Sequence, residues 1–217
     1  VYAEDMFQDS GLSAAALHRA RSPWRGMRTE VIGGQLLDIS LEAAGSESVE
    51  LANSVNRYKT AAYTIERPLH LGAAIAGASE ELIAAFRGYG QDIGIAYQLR
   101  DDQLGVFGDP AVTGKPAGDD LREGKRTELL ALALQRADES DPQAAATLRK
   151  LIGHTSDPQE LSRLAQIIAD SGAPEEIERR IDALTRSGLQ HLHAAQVDPA
   201  VTEALEQLAI KATARRK

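Results

Sequence analysis

Apolar residues recur at helical spacing through almost the whole chain and alternate in strand fashion almost nowhere, which excludes a β-sheet as the organising element. Composition points the same way. Of 217 residues, 36 are alanine and only 4% are aromatic. Alanine costs least in a helix, whereas strands favour β-branched and aromatic side chains. With 43% hydrophobic residues the chain can bury a substantial core. We therefore expect an all-α fold, a single helical-bundle domain over residues 1–217 with no internal repeat.

Glycines and prolines punctuate this pattern. Met27, Val31, Gly34 and Leu41 share one stripe of a helix predicted over 23–44, opened by Pro23 and stopped by Gly45. Further helices are predicted over 48–64, 68–76 and, longest of all, 79–104, where Ser79 caps the first turn. From 105 to 124 five glycines and two prolines break the periodicity into a loop, and a loop that long in a helical domain tends to be functional. Beyond it Pro142, Pro158, Pro174 and Pro199 each open a helix, with apolar stripes at Leu161, Leu164 and Ile168, at Ile177, Ile181 and Leu184, and at Val201, Leu205 and Leu208. Trp24 is expected to pack locally, and Arg215, Arg216 and Lys217 to form a solvated tail.

Charge and residue usage exclude several functions. Lys and Arg number 24 against 32 Asp and Glu, a net charge of −8, so neither nucleic acid nor an anionic membrane is the expected partner. With no cysteine there is no disulfide, thiolate zinc site, iron–sulfur cluster or cysteine nucleophile, and a cytoplasmic setting fits. No stretch approaches the roughly 18 apolar residues of a membrane-spanning helix. The chain opens on Val1 rather than Met, so it is expected to be a cut chain.

The sharpest polar constellation is Gln98, Asp101 and Asp102, which share one face near the end of the longest predicted helix. Two adjacent carboxylates repel each other, and a helix C-terminus disfavours both. Taken alone they read as a solvated acidic patch. The following loop changes that, because Lys115, Arg122, Lys125 and Arg126 form a basic cluster among glycines. Paired carboxylates, a hard divalent ion such as Mg²⁺ and basic side chains together form a sandwich suited to a diphosphate. Gln35 and Asp38 follow the Gly33-Gly34 pair, and Lys59-Thr60 interrupts an apolar helix. Four predicted helices thus offer polar residues to one bundle interior.

The stretch Gly105-Val106-Phe107-Gly108-Asp109-Pro110, through Gly114-Lys115 and on to Gly124-Lys125-Arg126-Thr127, resembles the second aspartate-rich motif and its flank in trans-isoprenyl diphosphate synthases, the polyprenyl synthetase family. The likeness runs from Met6 to about Lys211 and is nearest to actinobacterial geranylgeranyl or similar medium-chain synthases. It implies an isoprenoid-synthase bundle lacking its N-terminal helices. It also implies that Asp101 and Asp102 bind Mg²⁺, that Asp38 contributes through water, and that Lys59, Lys115 and Lys125 contact an allylic diphosphate. Gln98 and the Thr60 carbonyl would face the allylic cation, with Gln35 supporting that wall. The implied reaction condenses the allylic diphosphate with isopentenyl diphosphate, in a homodimer. Two departures stand out. The motif D-D-x-x-D reads here Asp101-Asp102-Gln103-Leu104-Gly105, without its third carboxylate, and no first D-D-x-x-D is present. The 217 residues therefore carry half of such a site and are expected to be inactive alone. The competing expectation is a non-catalytic regulatory or interaction subunit.

Overall fold

In this computed structural model, which describes residues 2–114 and 116–214, α1 (Tyr2–Gln8) is fastened to the next helix by Trp24. The indole stacks on Phe7 at 4.9 Å between centroids and donates its N–H to Glu4 at 2.8 Å, the local packing expected of it. Lys115 and the Arg215–Lys217 tail lie outside the described residues.

The second helix, α2 (Ala14–Ala44), begins well before Pro23. The Ser13 hydroxyl accepts the Ala16 N–H, and three alanines follow it, so this start outcompetes the proline. Pro23 is buried inside the helix, where it removes one backbone donor. Arg19, one turn earlier, reaches across to the Ala74 and Ile75 carbonyls at 2.8 and 2.7 Å. Gly45 ends α2 as expected, at φ 62°.

Ser48 caps α3 (Val49–Val55), and the chain continues unbroken through a π-helical segment, π1 (Asn56–Glu66), into α4 (Arg67–Ala76). No gap opens before Pro68, because it sits in the first turn of α4, where a missing N–H costs little. Glycines of the neighbouring helices let this segment be approached closely from both sides. A Cβ at Gly34 of α2 would lie 2.5 Å from the Lys59 backbone N; one at Gly90 or Gly94 of α5 (Glu80–Phe107) would lie 2.4 Å from Glu66 Cα or 2.5 Å from Ala61 Cα. The end of π1 is fixed by Glu66, 1% exposed and paired with Arg57 and with Arg87 of α5.

α5 is the central rod, packed between π1 on one side and α11 (Ala173–His193) on the other. It continues past Leu104 to Phe107, and the expected loop then folds into two short helices, α6 (Pro110–Thr113) and α7 (Asp119–Glu123). Helices α8 (Glu128–Ser140), α9 (Pro142–Leu151), α10 (Pro158–Asp170), α11 and α12 (Pro199–Thr213) complete the bundle, the last four each with proline in the first turn. The main core joins Leu99 to Leu129, Leu134, Leu148, Leu164, Ile168, Ile177 and Ile181, all 2% exposed or less. On α12 the buried face is Leu205, Ala209 and Thr213; Val201 and Leu208 are exposed, so that expected stripe is off by its flanking residues. Among the described residues there is no strand, and no helix is long and apolar enough to cross a membrane.

Charge-assisted bonds lock helix rotation. Arg100 donates two bonds to Glu178 of α11, at 2.5 and 2.7 Å, and a third to the Thr213 carbonyl of α12 at 2.8 Å. This turns the opposite face of α5, bearing Asp101 and Asp102, towards π1 and α7. Glu30 of α2 accepts two bonds from Arg67 of α4, at 2.8 and 2.5 Å. Those bonds hold its carboxyl below the ordinary value of 4.5. Glu30→Gln is expected to cost about 2 kcal/mol at pH 7, the usual worth of lost bonds between charged groups. A depressed folded pKa means the wild-type advantage is full above pH 4.5 and shrinks as acid takes the pH below it. Urea unfolding of both proteins at pH 7 and in acid checks the size and the convergence.

Candidate functional site

The polar residues converge on a cavity of about 180 Å³ framed by α2, the α3–π1 junction, α5 and the α7–α8 connection. Its walls carry Asp38, Lys59, Thr60, Gln98, Asp101, Asp102 and Lys125, so seven of the nine expected residues meet there. Gln35 lies exposed on α2 outside the lining. Lys115 falls outside the described residues.

The side chains are ordered by a hydrogen-bond chain. The Thr60 hydroxyl donates to Gln98 Oε1 at 2.7 Å, and Gln98 Nε2 donates to Asp102 Oδ1 at 2.8 Å. Lys59, placed on π1, pairs with Asp38 across the close contact that Gly34 permits. Lys125 pairs with Asp120 of α7. Burial opposes the ammonium charge on Lys125, but the Asp120 hydrogen bond and carboxylate override it and hold the group above its ordinary range. Asp102 has the opposite problem. Burial drives its carboxyl well above the ordinary carboxylate range, repulsion by Asp120, Asp101 and Glu128 adds to this, and the Gln98 bond only partly offsets it.

Asp102 Oδ2 is buried and accepts no hydrogen bond among the described residues. A buried carboxylate oxygen without a donor, on a cavity-lining residue with acidic neighbours, lacks a cation, and a hard divalent ion suits such an all-oxygen donor set. Among the described residues no three acidic or imidazole side chains form a ready cage. Mg²⁺ does not require one, because it keeps several waters and takes one or two carboxylates together with substrate phosphates. The residues present fit that ion.

A different carboxylate stands beside the position of the missing third one. A Cβ at Gly105 would lie 2.0 Å from Asp120 Oδ2 and 2.3 Å from its Cγ, so the Asp120 carboxylate occupies the space beside that position. Asp120, 5% exposed and in the cavity wall, is a site residue that the sequence pattern did not single out. The available signal was an acid five residues before Lys125, close enough to fold back on it.

A crystal structure of geranylgeranyl pyrophosphate synthase from Corynebacterium glutamicum, complexed with isoprenyl diphosphate and magnesium, superposes with a TM-score of 0.97 at 64% identity, covering 99% of this chain and 60% of that one. Geranylfarnesyl diphosphate synthase of Aeropyrum pernix is 40% identical over 129 residues, 58% of this chain and 40% of that protein. Geranylgeranyl diphosphate synthase of Mycobacterium tuberculosis is 39% identical over 113 residues, 52% of this chain and 32% of that protein. The chain thus spans less than two thirds of the length of these relatives. The family model of polyprenyl synthetase matches residues 20–170, more than half of the chain, and on that match the chain belongs to the polyprenyl synthetase family.

Proposed function

We propose that the chain carries the allylic-diphosphate half of a Mg²⁺-dependent prenyltransferase that condenses an allylic diphosphate with isopentenyl diphosphate to give a longer isoprenyl diphosphate. The observation that carries this reading is one cavity in which Lys59 and Lys125 stand with Asp101 and with the unsatisfied oxygen of Asp102. The likeness to a synthase crystallised with isoprenyl diphosphate and magnesium supports it. Residues 1–217 are then the C-terminal part of one isoprenoid-synthase-like domain. The homodimer and the cytoplasmic setting belong to the same proposal. For the former, the exposed apolar residues Ile32, Leu36 and Ile39 on α2 are the supporting observation.

In this reading Asp101 and Asp102, with Asp38 contributing through water, would hold Mg²⁺, and the ion would supply Lewis-acid stabilisation of the leaving diphosphate. Lys59 and Lys125, and Lys115 by its position in the motif, neutralise phosphate oxygens as charge accumulates on them. The C–O bond breaks with its electron pair passing to the diphosphate. The isopentenyl double bond attacks the allylic carbon, forming the new C–C bond, and the departing diphosphate takes the proton then lost. The Gln98 side-chain oxygen and the Thr60 carbonyl present negative dipole ends to the intervening cation, while Gln35, exposed outside the lining, takes no part in that wall. No side-chain general base is needed. The isopentenyl site and the first aspartate motif belong to sequence not among these residues, so this stretch alone is expected to be inactive.

The test is a condensation assay on the longest natural form of the chain, with an allylic diphosphate, labelled isopentenyl diphosphate and Mg²⁺. The expected result is a longer labelled isoprenyl diphosphate and released diphosphate. Absence of product with substrate-saturated, folded protein would favour the non-catalytic subunit, the reading that the missing first motif supports.

A further inference from the structure

Buried polar side-chain atoms are nearly always hydrogen-bonded, so each exception asks for an explanation. Among the described residues five such atoms have no hydrogen-bond partner. Two of them, Arg57 Nη1 and Glu66 Oε2, are 2.5 Å apart and satisfy each other as an ion pair. The other three are Asp102 Oδ2, Asn56 Nδ2 and Arg126 Nε, and all three residues line the same 180 Å³ cavity. One is an acceptor lacking a cation; two are donors lacking an acceptor. Asn56, at the start of π1, is 5% exposed, and nothing about its position in the helix requires an amide. Arg126 extends its Nη2 towards Gly45 at the end of α2, while Nε is left buried and unsatisfied.

We propose that Asn56 and Arg126 are further ligand-binding residues of this cavity, donating hydrogen bonds to phosphate oxygens of the diphosphate it takes. The inference rests on the function proposed above and adds a donor wall to its lysines. An anion there satisfies both orphaned donors at once, and the guanidinium adds charge neutralisation that an amide cannot.

The experiment is calorimetric titration of inorganic pyrophosphate with Mg²⁺ into wild type, Asn56→Ala, Arg126→Gln, Arg126→Lys and Asp102→Asn, together with thermal unfolding of each free protein. Arg126→Gln is expected to raise Kd about tenfold or more, the effect of losing a charge-assisted bond, Asn56→Ala about fivefold, and Arg126→Lys less than Arg126→Gln. Free Asn56→Ala and Arg126→Gln should melt at or above the wild-type temperature, because neither mutation removes a satisfied bond at Nδ2 or Nε. A lower melting temperature with Kd unchanged within twofold would make both residues structural and overturn the inference, as would unchanged Kd at unchanged melting temperature. In either case binding by wild type and its loss in Asp102→Asn would leave the proposed function standing. No binding by folded wild type would overturn both.

Discussion

Asp102→Asn is expected to lower turnover of the longest natural form by at least a hundredfold while leaving the metal-free fold as stable as wild type or more so. Both effects come from one oxygen. Asp102 Oδ2 is buried without a partner, and burial with its acidic neighbours pushes the carboxyl well above the ordinary value of 3.8. An ionised group in that position costs stability unless a cation joins it. The amide keeps an acceptor for Gln98 but removes the charge, so it relieves the free protein and disables the site; losing one such electrostatic contributor typically costs about 10²–10³ in rate. The sign in pH follows. A raised folded pKa means the metal-free native state holds a proton that the unfolded chain releases, so wild-type stability declines as pH rises from 3.8 through the folded pKa. Asp102→Asn should lack that part of the decline. Steady-state kinetics with urea unfolding in chelator, from acid to neutral pH, measures both halves. Full turnover, or a marked loss of metal-free stability, would remove the metal-binding assignment.

Gly34→Ala and Gly33→Ala should move stability in opposite directions. An interior helical glycine normally costs up to about 1 kcal/mol relative to alanine, so both substitutions look stabilising by propensity. At Gly33 a methyl group would have nothing within 4 Å of it, and Gly33→Ala should gain that amount. At Gly34 the methyl would stand 2.5 Å from Lys59 N, 2.8 Å from its Cα and 2.9 Å from the Tyr58 carbonyl carbon, all backbone atoms that cannot swing aside. Forcing α2 off π1 should cost about 3 kcal/mol, the upper range of overpacking. It also pulls Asp38 away from Lys59, so diphosphate affinity should fall with stability. Chemical unfolding of the two variants is the check, and equal effects would refute the close α2–π1 contact.

Much of this arrangement was legible in the residues. Alanine content, helical spacing and the four prolines after residue 140 mark the helices because their causes are local: a cap, a first-turn proline, a glycine stop. Pro23 misled because the Ser13 cap and the alanines after it start the helix earlier, and the proline is then carried inside it. The π-helical stretch left no trace in the pattern, and the close approach of Gly34, Gly90 and Gly94 to it comes from helices elsewhere in the sequence. The same division holds at the site. Gln98, Asp101 and Asp102 share a face by spacing alone, and Asp120 lies within reach of Lys125 along the chain, whereas Asn56 joins them only because segments distant in sequence close on one cavity. At the third position of the motif, where the sequence shows only Gly105, the structure places the Asp120 carboxylate alongside.

The most direct measurement is the affinity of the chain for inorganic pyrophosphate with Mg²⁺ and with the ion chelated, and reciprocally for Mg²⁺ with and without pyrophosphate. The twin aspartates and the lysines sharing one diphosphate predict that each ligand tightens the other by the same factor, at least about tenfold, and that the coupling disappears in Asp102→Asn. Independent binding of the two ligands, or equal coupling in the variant, would contradict it.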